Sequence, residues 1–425
     1  MTIARDAHGS LLLGAVDLTE VLQDAGSPTY VYDLDAIAAE ARVLDEAFDG
    51  AAHLVAYAVK ANTAGAVVRT LAAAGCGADI VSRAELRVAV ACGIDPGKIV
   101  FSGVAKQDVE IDEAIGAGTD GVAAIQLESV EEVERVAARA RAVGRQARVG
   151  VRINPGIDLE GATHAHIATG HDKAKFGVAR ADVARAVERI ESAPELVLSS
   201  VGCHAGSQFA TLEPYLAAAR VVFDLVRGLR AEGRLTSLAF VDSGGGFGVD
   251  YGDGCSVTPS DFVRAARVEQ IARGLGDLKL TVEPGRSLVA SHGVLLARVI
   301  QAKVASTGRW LMIDAGMNDL IRPALYQARH AIVAIKAIPL EQNVPWRVVG
   351  PVCESSDDFG IHALALEAPL AVAILGAGAY GYTLASAYNG RQLPVEVFVA
   401  GGRTIGRTAR RSVDDWAAER ACAGT

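Results

Sequence analysis

HLVAYAVKAN, His53 to Asn62, is a short apolar run of strand character that ends on a lysine and an asparagine. Burial penalises the ammonium form of lysine and lowers its pKa, so a strand pattern that stops on one is informative only if something uses the amine. A lone lysine at a strand end is ordinarily solvated. Lys60 gains meaning from the rest of the chain. Seven further runs recur down its length: ADIVS (78–82), KIVFSG (98–103), GVAAIQL (121–127), ARVGVRIN (147–154), LSSVGCHA (198–205), LAFVDSG (238–244) and LKLTVEP (278–284). Helical patterns separate them. Ser82 with Glu85 and Ser129 with Glu132 have capping-box spacing, and Gly144 and Gly233 are placed to stop helices, the second one opening near Thr211. Eight strands alternating with helices over roughly 250 residues predict an α/β fold, a (β/α)8 barrel of the TIM type, across 34–290. The segment Pro155 to Gly177 is a long connection for such a barrel, and loops of that length tend to be functional.

Outside this span the pattern changes. GVLLARVIQAKV, RWLMID, WRVVG and VEVFVA are continuous or alternating apolar strands with few helical stretches, and LLLGAV and TYVYD near the start also read as strand. Residues 1–33 and 291–425 are therefore expected to share one β-rich domain of sandwich or barrel-like kind. Ala368 to Tyr388 carries no charge over about the length of a membrane span, but Pro369, glycines and hydroxyl side chains favour a buried strand, a turn and a helix.

Composition narrows the class. Hydrophobic residues at 51%, charged residues at 21% and a net charge of -9 fit a soluble globular protein and argue against nucleic acid or anionic membrane as a partner. The 6 cysteines lie without metal-ligand or CxxC spacing, so free thiols, no metal and a reducing compartment are expected. MTIARDAHGS lacks the apolar core of a signal peptide, which fits a cytoplasmic place.

Polar residues gather where the barrel strands should end, and active sites of such barrels are built there. Lys60 ends the first run, Asp79 lies in the second, and Arg152 lies in the fifth. The sixth leads into His204, Gly206 and Ser207; the seventh into Asp242 and Gly244, Gly245, Gly246; the eighth into Glu283, Pro284, Gly285 and Arg286. Each alone has an ordinary structural reading. Together they supply an amine for an imine, a ring to cover a cofactor face, a carboxylate for a ring nitrogen, and glycines with a serine for a phosphate, which is what pyridoxal phosphate chemistry requires.

YAVKAN, HAGSQ, GGGFG, EPGR, GMNDLIRPALY, GPVCESSD and GAYGYTLASAYNGR resemble, in order, the motifs of the diaminopimelate decarboxylase family, of the alanine-racemase-like (fold type III) class of pyridoxal phosphate enzymes. The resemblance runs from about Tyr30 to Arg391. It implies a barrel plus a β-domain. It implies that Lys60 carries pyridoxal 5'-phosphate as an imine, that His204 stacks on its ring, and that Glu283 pairs with the ring nitrogen. Ser207, Gly245, Gly246, the main chain from Glu283 through Gly285 to Arg286, and Tyr380 would bind the phosphate, with Asp79 near the lysine. Arg286 and Arg322 would clamp the distal carboxylate of meso-diaminopimelate, helped by Tyr326 and Tyr380, while Glu354 takes the distal ammonium. Cys353 would reprotonate the carbon that loses carbon dioxide.

The family also implies a homodimer whose Cys353 and Glu354 serve the partner's site. Two departures stand out: Ala205 in HAGSQ replaces the family's usual isoleucine, and the span from Cys353 to Tyr380 is short. A sister decarboxylase for ornithine, lysine, arginine or carboxynorspermidine would lack the Arg322 and Tyr326 pattern, and a racemase would place a tyrosine base where Cys353 stands. A silent regulatory homologue would have no need of Lys60, Glu283 and Cys353 together.

Overall fold

The eight apolar runs form the parallel strands His53–Ala58, Gly77–Ile80, Ile99–Phe101, Ala124–Leu127, Ala147–Asn154, Leu196–Gly202, Phe240–Gly245 and Lys279–Glu283. Each pairs with its successor, and Lys279–Glu283 pairs with His53–Ala58 through Leu280–His53, Thr281–Leu54 and Val282–Val55, which closes the barrel. This computed structural model describes residues 3–157, 170, 174–252, 254–337 and 342–422. Within them the barrel unit comprises Ala38–Val249 and Cys255–Ser287, and a second unit comprises Met1–Ile37, Asp250–Gly254 and Leu288–Thr425.

Leu54, Ala56, Val100, Ala123, Ala124 and Phe240 form one apolar cluster of the barrel, in which three alanines pack beside larger side chains. Ser82 and Ser129 each accept the amide of the glutamate three residues on, at 3.2 Å. The second half of the expected capping box differs. Glu85 accepts from Val81 N and Glu132 from Glu128 N, both at 2.8 Å, so each carboxylate reaches one residue past its cap and ties down the strand-to-helix turn. Gly144, at φ 74°, ends its helix as expected, where a Cβ would be strained. Most of the 155–177 connection falls outside the described residues.

One displacement from the sequence reading affects the site. The first strand stops at Ala58, and Lys60 sits in a 3-10 turn, Val59–Ala61, beyond it. The turn is pinned because Ala58 N donates to Pro284 O at 2.9 Å.

The second unit is a β-sheet built around Gly293–Ala305. That strand pairs antiparallel with Thr29–Asp33, Gly308–Ile313 and Ala371–Ile374, and Thr29–Asp33 pairs in turn, parallel, with Val395–Ala400. The N-terminal strand thus lies between two strands from the far end of the chain, and all its residues are buried. Leu11, Leu13, Leu18, Val21, Leu22, Val31, Val294, Leu296, Val395 and Val397 share its core. After Ile374 the expected helix is absent. Positive φ at Gly376 (65°), Tyr380 (55°) and Asn389 (54°) breaks the chain into turns, and only the 3-10 turns Tyr382–Leu384 and Tyr388–Gly390 form. Gly378 is required there, since a Cβ would stand 2.0 Å from Val289 O. Among the described residues no helix is long and apolar enough to cross a membrane.

Glu396 lies in this core, 4% exposed, and accepts from Tyr32 OH at 3.0 Å. Burial raises its carboxyl from 4.5 to about 7, against the pull of that hydrogen bond. A raised carboxyl stabilises the fold fully below the unfolded value, and the contribution is lost as pH rises through the folded value. Melting temperature is therefore expected to fall from about pH 5 to 8, and Glu396→Gln, which keeps an acceptor for Tyr32, should remove part of that fall. Parallel profiles for wild type and variant would refute the assignment.

Candidate active site

The placement of the barrel residues starts from register. Ala58 on the first strand pairs with Asp79 on the second, which brings the carboxylate level with the turn that carries Lys60. Lys60 Nζ donates to Asp79 Oδ2 at 2.5 Å, with the lysine side chain 36% exposed and the aspartate 1%. Sequence alone suggested a desolvated amine. The structure gives instead a partly open one whose charge is met by a buried carboxylate, so the amine is held by pairing and still reachable.

Three buried carboxylates share this mouth, and like charges in low dielectric cannot all ionise. Burial, with the charge of Glu283 added, pushes Asp79 up in spite of Lys60. Burial and Glu283 push Asp242 well up, although Gly244 N donates to Asp242 Oδ1 at 2.8 Å. Glu283 goes the other way. Burial opposes its ionisation, but His204, Lys60 and Arg152 outweigh it and hold its carboxyl down at about 2. The mouth therefore carries one firm anion among acids that hold their protons more tightly, the divergence that separates roles in acid–base sites.

His204 Nδ1 stands 3.4 Å from Glu283 Oε2 and 3.3 Å from Gly245 N. That nitrogen donates to the first or accepts from the second, since one ring nitrogen cannot do both. The glycines of GGGFG have a packing reason as well as a binding one. A Cβ at Gly244 would lie 2.3 Å from Cys203 O, at Gly245 1.9 Å from Glu283 O, and at Gly246 2.2 Å from Gly206 O. These contacts let the loops after strands six, seven and eight press together. Gln208 reinforces them, donating to Val249 O at 2.6 Å and accepting from Val249 N at 3.3 Å. Arg286 Nη2 donates to Ser207 Oγ at 3.1 Å, and a Cβ at Gly285 would come within 3.0 Å of Ala58 Cβ.

Glu128 was not legible as part of this site. Its carboxylate accepts from Arg152 Nη1 at 3.0 Å, Gly103 N at 3.0 Å and Gly177 N at 2.7 Å, joining the loops after strands three, four and five. Arg152, so held, reaches His204 O at 3.5 Å and lies 5.0 Å from the Phe176 ring. Only the Glu128 position at a strand end could have suggested it.

The remaining expected residues belong to the second unit. Cys353 is exposed, which excludes the buried apolar role common to free cysteines; all six cysteines are free. Its loop is rigidly tied: Asp357 accepts from Val352 N and Met317 N, both at 2.6 Å, and Cys353 N donates to Asn389 Oδ1 at 3.0 Å. Glu354 accepts from Tyr388 OH at 2.7 Å. AYNGR is recognisable as a motif in the sequence, but nothing in it gives Tyr388 and Asn389 a part. Tyr380 is held at φ 55°, in the left-handed region, a strain of about 1–3 kcal/mol for such a residue that persists where surroundings dictate it, often at functional sites. Arg322 and Tyr326 open and close one five-residue helix, Arg322–Tyr326. Arg322 is 4% exposed, lies 4.7 Å over the Tyr251 ring and meets His330 Nε2 at 2.8 Å.

The barrel residues suit pyridoxal phosphate. A reachable amine on Lys60 matches the aldehyde, a Glu283 carboxylate held ionised matches a protonated ring nitrogen, and Ser207 with Arg286 provides donors for a phosphate. Ser287 Oγ, next in sequence, is buried and has no hydrogen-bond partner among the described residues.

Residues 34–290 match the family described as pyridoxal-dependent decarboxylase, pyridoxal binding domain. The chain is 41% identical over 413 residues to the diaminopimelate decarboxylase of Zymomonas mobilis, covering 96% of each. Among solved structures, that of diaminopimelate decarboxylase from M. jannaschii in complex with L-lysine superposes with a TM-score of 0.90 at 33% identity, covering 98% of this chain and 97% of that one. The Helicobacter pylori enzyme, also with L-lysine, gives 0.87 at 36% identity, over 95% and 99%. A barrel mouth built around Lys60 and Glu283, a match to the cofactor-binding domain, and relatives alike over nearly their whole length lead to one conclusion: the chain belongs to the diaminopimelate decarboxylase family of pyridoxal phosphate-dependent enzymes.

Proposed function

We propose that the protein decarboxylates meso-2,6-diaminopimelate to L-lysine and carbon dioxide, the last step of lysine biosynthesis, with pyridoxal phosphate as cofactor. The observation that carries this reading is the ionised Glu283 beside the Lys60–Asp79 pair. Bound pyridoxal phosphate supplies the electron sink for the carbanion left when carbon dioxide departs.

The chain's own groups do the rest. Lys60 Nζ, partly exposed, would be the amine that holds the cofactor. Glu283, as an anion, would accept a hydrogen bond from the protonated ring nitrogen and so keep the proton on that nitrogen. His204 would cover the ring face, Ser207, Gly245, Gly246, Gly285, Arg286 and Tyr380 would bind the phosphate, and Asp79 orients the Lys60 amine. Arg286, Arg322, Tyr326 and Tyr380 receive the distal carboxylate, and Glu354 the distal ammonium. A planar guanidinium suits a carboxylate bidentately, whereas ornithine and lysine would present no carboxylate to Arg322. Cys353 Sγ returns a proton to the carbon, a step worth about 10²- to 10⁴-fold in rate.

A homodimer in the cytoplasm completes the reading. Cys353 and Glu354 are exposed on the single chain although their loop is fixed by Asp357 and Asn389, which supports their presentation to a partner's site. The free thiols agree with a reducing compartment.

Purified protein with pyridoxal phosphate is expected to form lysine and carbon dioxide from meso-diaminopimelate and to leave ornithine untouched. Turnover of ornithine alone would overturn the substrate while sparing the cofactor. Cys353→Ala should lower kcat by about 10²- to 10⁴-fold with the bound-cofactor absorbance intact, whereas Lys60→Ala should lose that absorbance. Mixing the two inactive variants with subunit exchange should restore roughly a quarter of wild-type activity, since half the dimers are mixed and each has one intact site. No recovery would refute shared sites.

A further inference from the structure

Arg322 does not stand alone in the second unit. His330, eight residues on and 3% exposed, sits between it and the main chain: Nε2 is 2.8 Å from Arg322 Nη1, and Nδ1 is 2.9 Å from Leu375 O. A guanidinium only donates and a carbonyl only accepts, so the two contacts fix one tautomer. His330 is neutral, with its proton on Nδ1, donating to Leu375 O and accepting from Arg322. The frame that holds this geometry is covalently close. Ile332–Ala334 pairs antiparallel with Ala371–Ile374, and Leu375 N donates to Ala331 O at 2.8 Å, so His330 and the Leu375 carbonyl flank one short ladder. The Tyr251 ring closes the other sides, 4.7 Å from Arg322 Cζ and 5.3 Å from the His330 ring.

We propose that His330 is a positioning residue for substrate recognition: its neutral ring orients the Arg322 guanidinium toward the distal carboxylate of the substrate. The proposal rests on the assignment of Arg322 to that carboxylate. It deepens the reading by adding a pH dependence. A protonated His330 loses its acceptor and sets a cation against the guanidinium. The adjoining cavity, of about 650 Å³, is lined by Arg329, Arg347, Asp358 and His362 beside Tyr251 and His330, and Asp358 is already ion-paired to Arg347. Acid pH therefore turns Arg322 away and weakens substrate binding without touching the barrel residues that do the chemistry.

The test is the pH dependence of KM and kcat for diaminopimelate over about pH 5 to 8 in wild type, His330→Gln, His330→Ala and Arg322→Ala. Wild-type KM should rise toward acid pH with kcat nearly flat. His330→Ala should raise KM about 10- to 100-fold at neutral pH, the loss of one hydrogen bond to a charged group. Glutamine can accept from Arg322 and donate to Leu375 O but does not titrate, so His330→Gln should recover most of the KM and abolish its acid rise. In an Arg322→Ala background, His330→Ala should add nothing further. Unchanged bound-cofactor absorbance identifies folded variants. If Arg322→Ala raises KM while His330→Ala does not, or if their effects add, the proposal is wrong and the Arg322 assignment stands. If Arg322→Ala leaves KM unchanged, the assignment fails and the proposal with it.

Discussion

Three carboxylates buried around one lysine set the terms for this molecule. At the barrel mouth the charge of Glu283 adds to burial in raising Asp79 and Asp242, while His204, Lys60 and Arg152 hold the Glu283 carboxyl down. That arrangement depends on barrel closure. The last strand pairs with the first, and the Ala58–Pro284 hydrogen bond sets the EPGR turn beside the turn that carries Lys60. The glycines of GGGFG serve the same end, because a side chain at Gly245 would push the seventh strand off Glu283. Fold and electrostatics are thus one constraint: the loops must touch for the charges to be sorted.

The second unit holds the residues proposed for specificity and proton delivery in hydrogen-bonded loops. Cys353 and Glu354 project from a segment anchored by Asp357 and by Asn389, and Tyr388 holds the Glu354 carboxylate. Arg322 is embedded with His330 and Tyr251. Conformational cost is met in these anchors in advance, which is how a site keeps its reacting groups in place.

Much of this was legible in the sequence. The eight strands could be read because short apolar runs between capped helices leave a strong local signal, and the residues at their ends are placed by where barrel chemistry is built. Lys60 fell one turn beyond its strand because the contact that ends the strand, Ala58 N to Pro284 O, comes from residues far along the chain. The helix expected after Ile374 failed for a different reason: backbone strain at Tyr380 and Asn389 is set by tertiary packing, which helix propensity does not register. Glu128, Asp357, Tyr388, Asn389 and His330 went unread because their meaning lies in partners, such as Arg152 for Glu128 or Arg322 for His330, that no local pattern connects.

The claim most exposed to test is that Glu283 is the anion that keeps the cofactor's ring nitrogen protonated. The nitrogen-15 chemical shift of ring-labelled pyridoxal phosphate bound to the wild-type protein at neutral pH reads that directly. A protonated nitrogen in wild type that becomes neutral in Glu283→Gln is the predicted result; a neutral nitrogen in the wild-type protein would contradict the account at its centre.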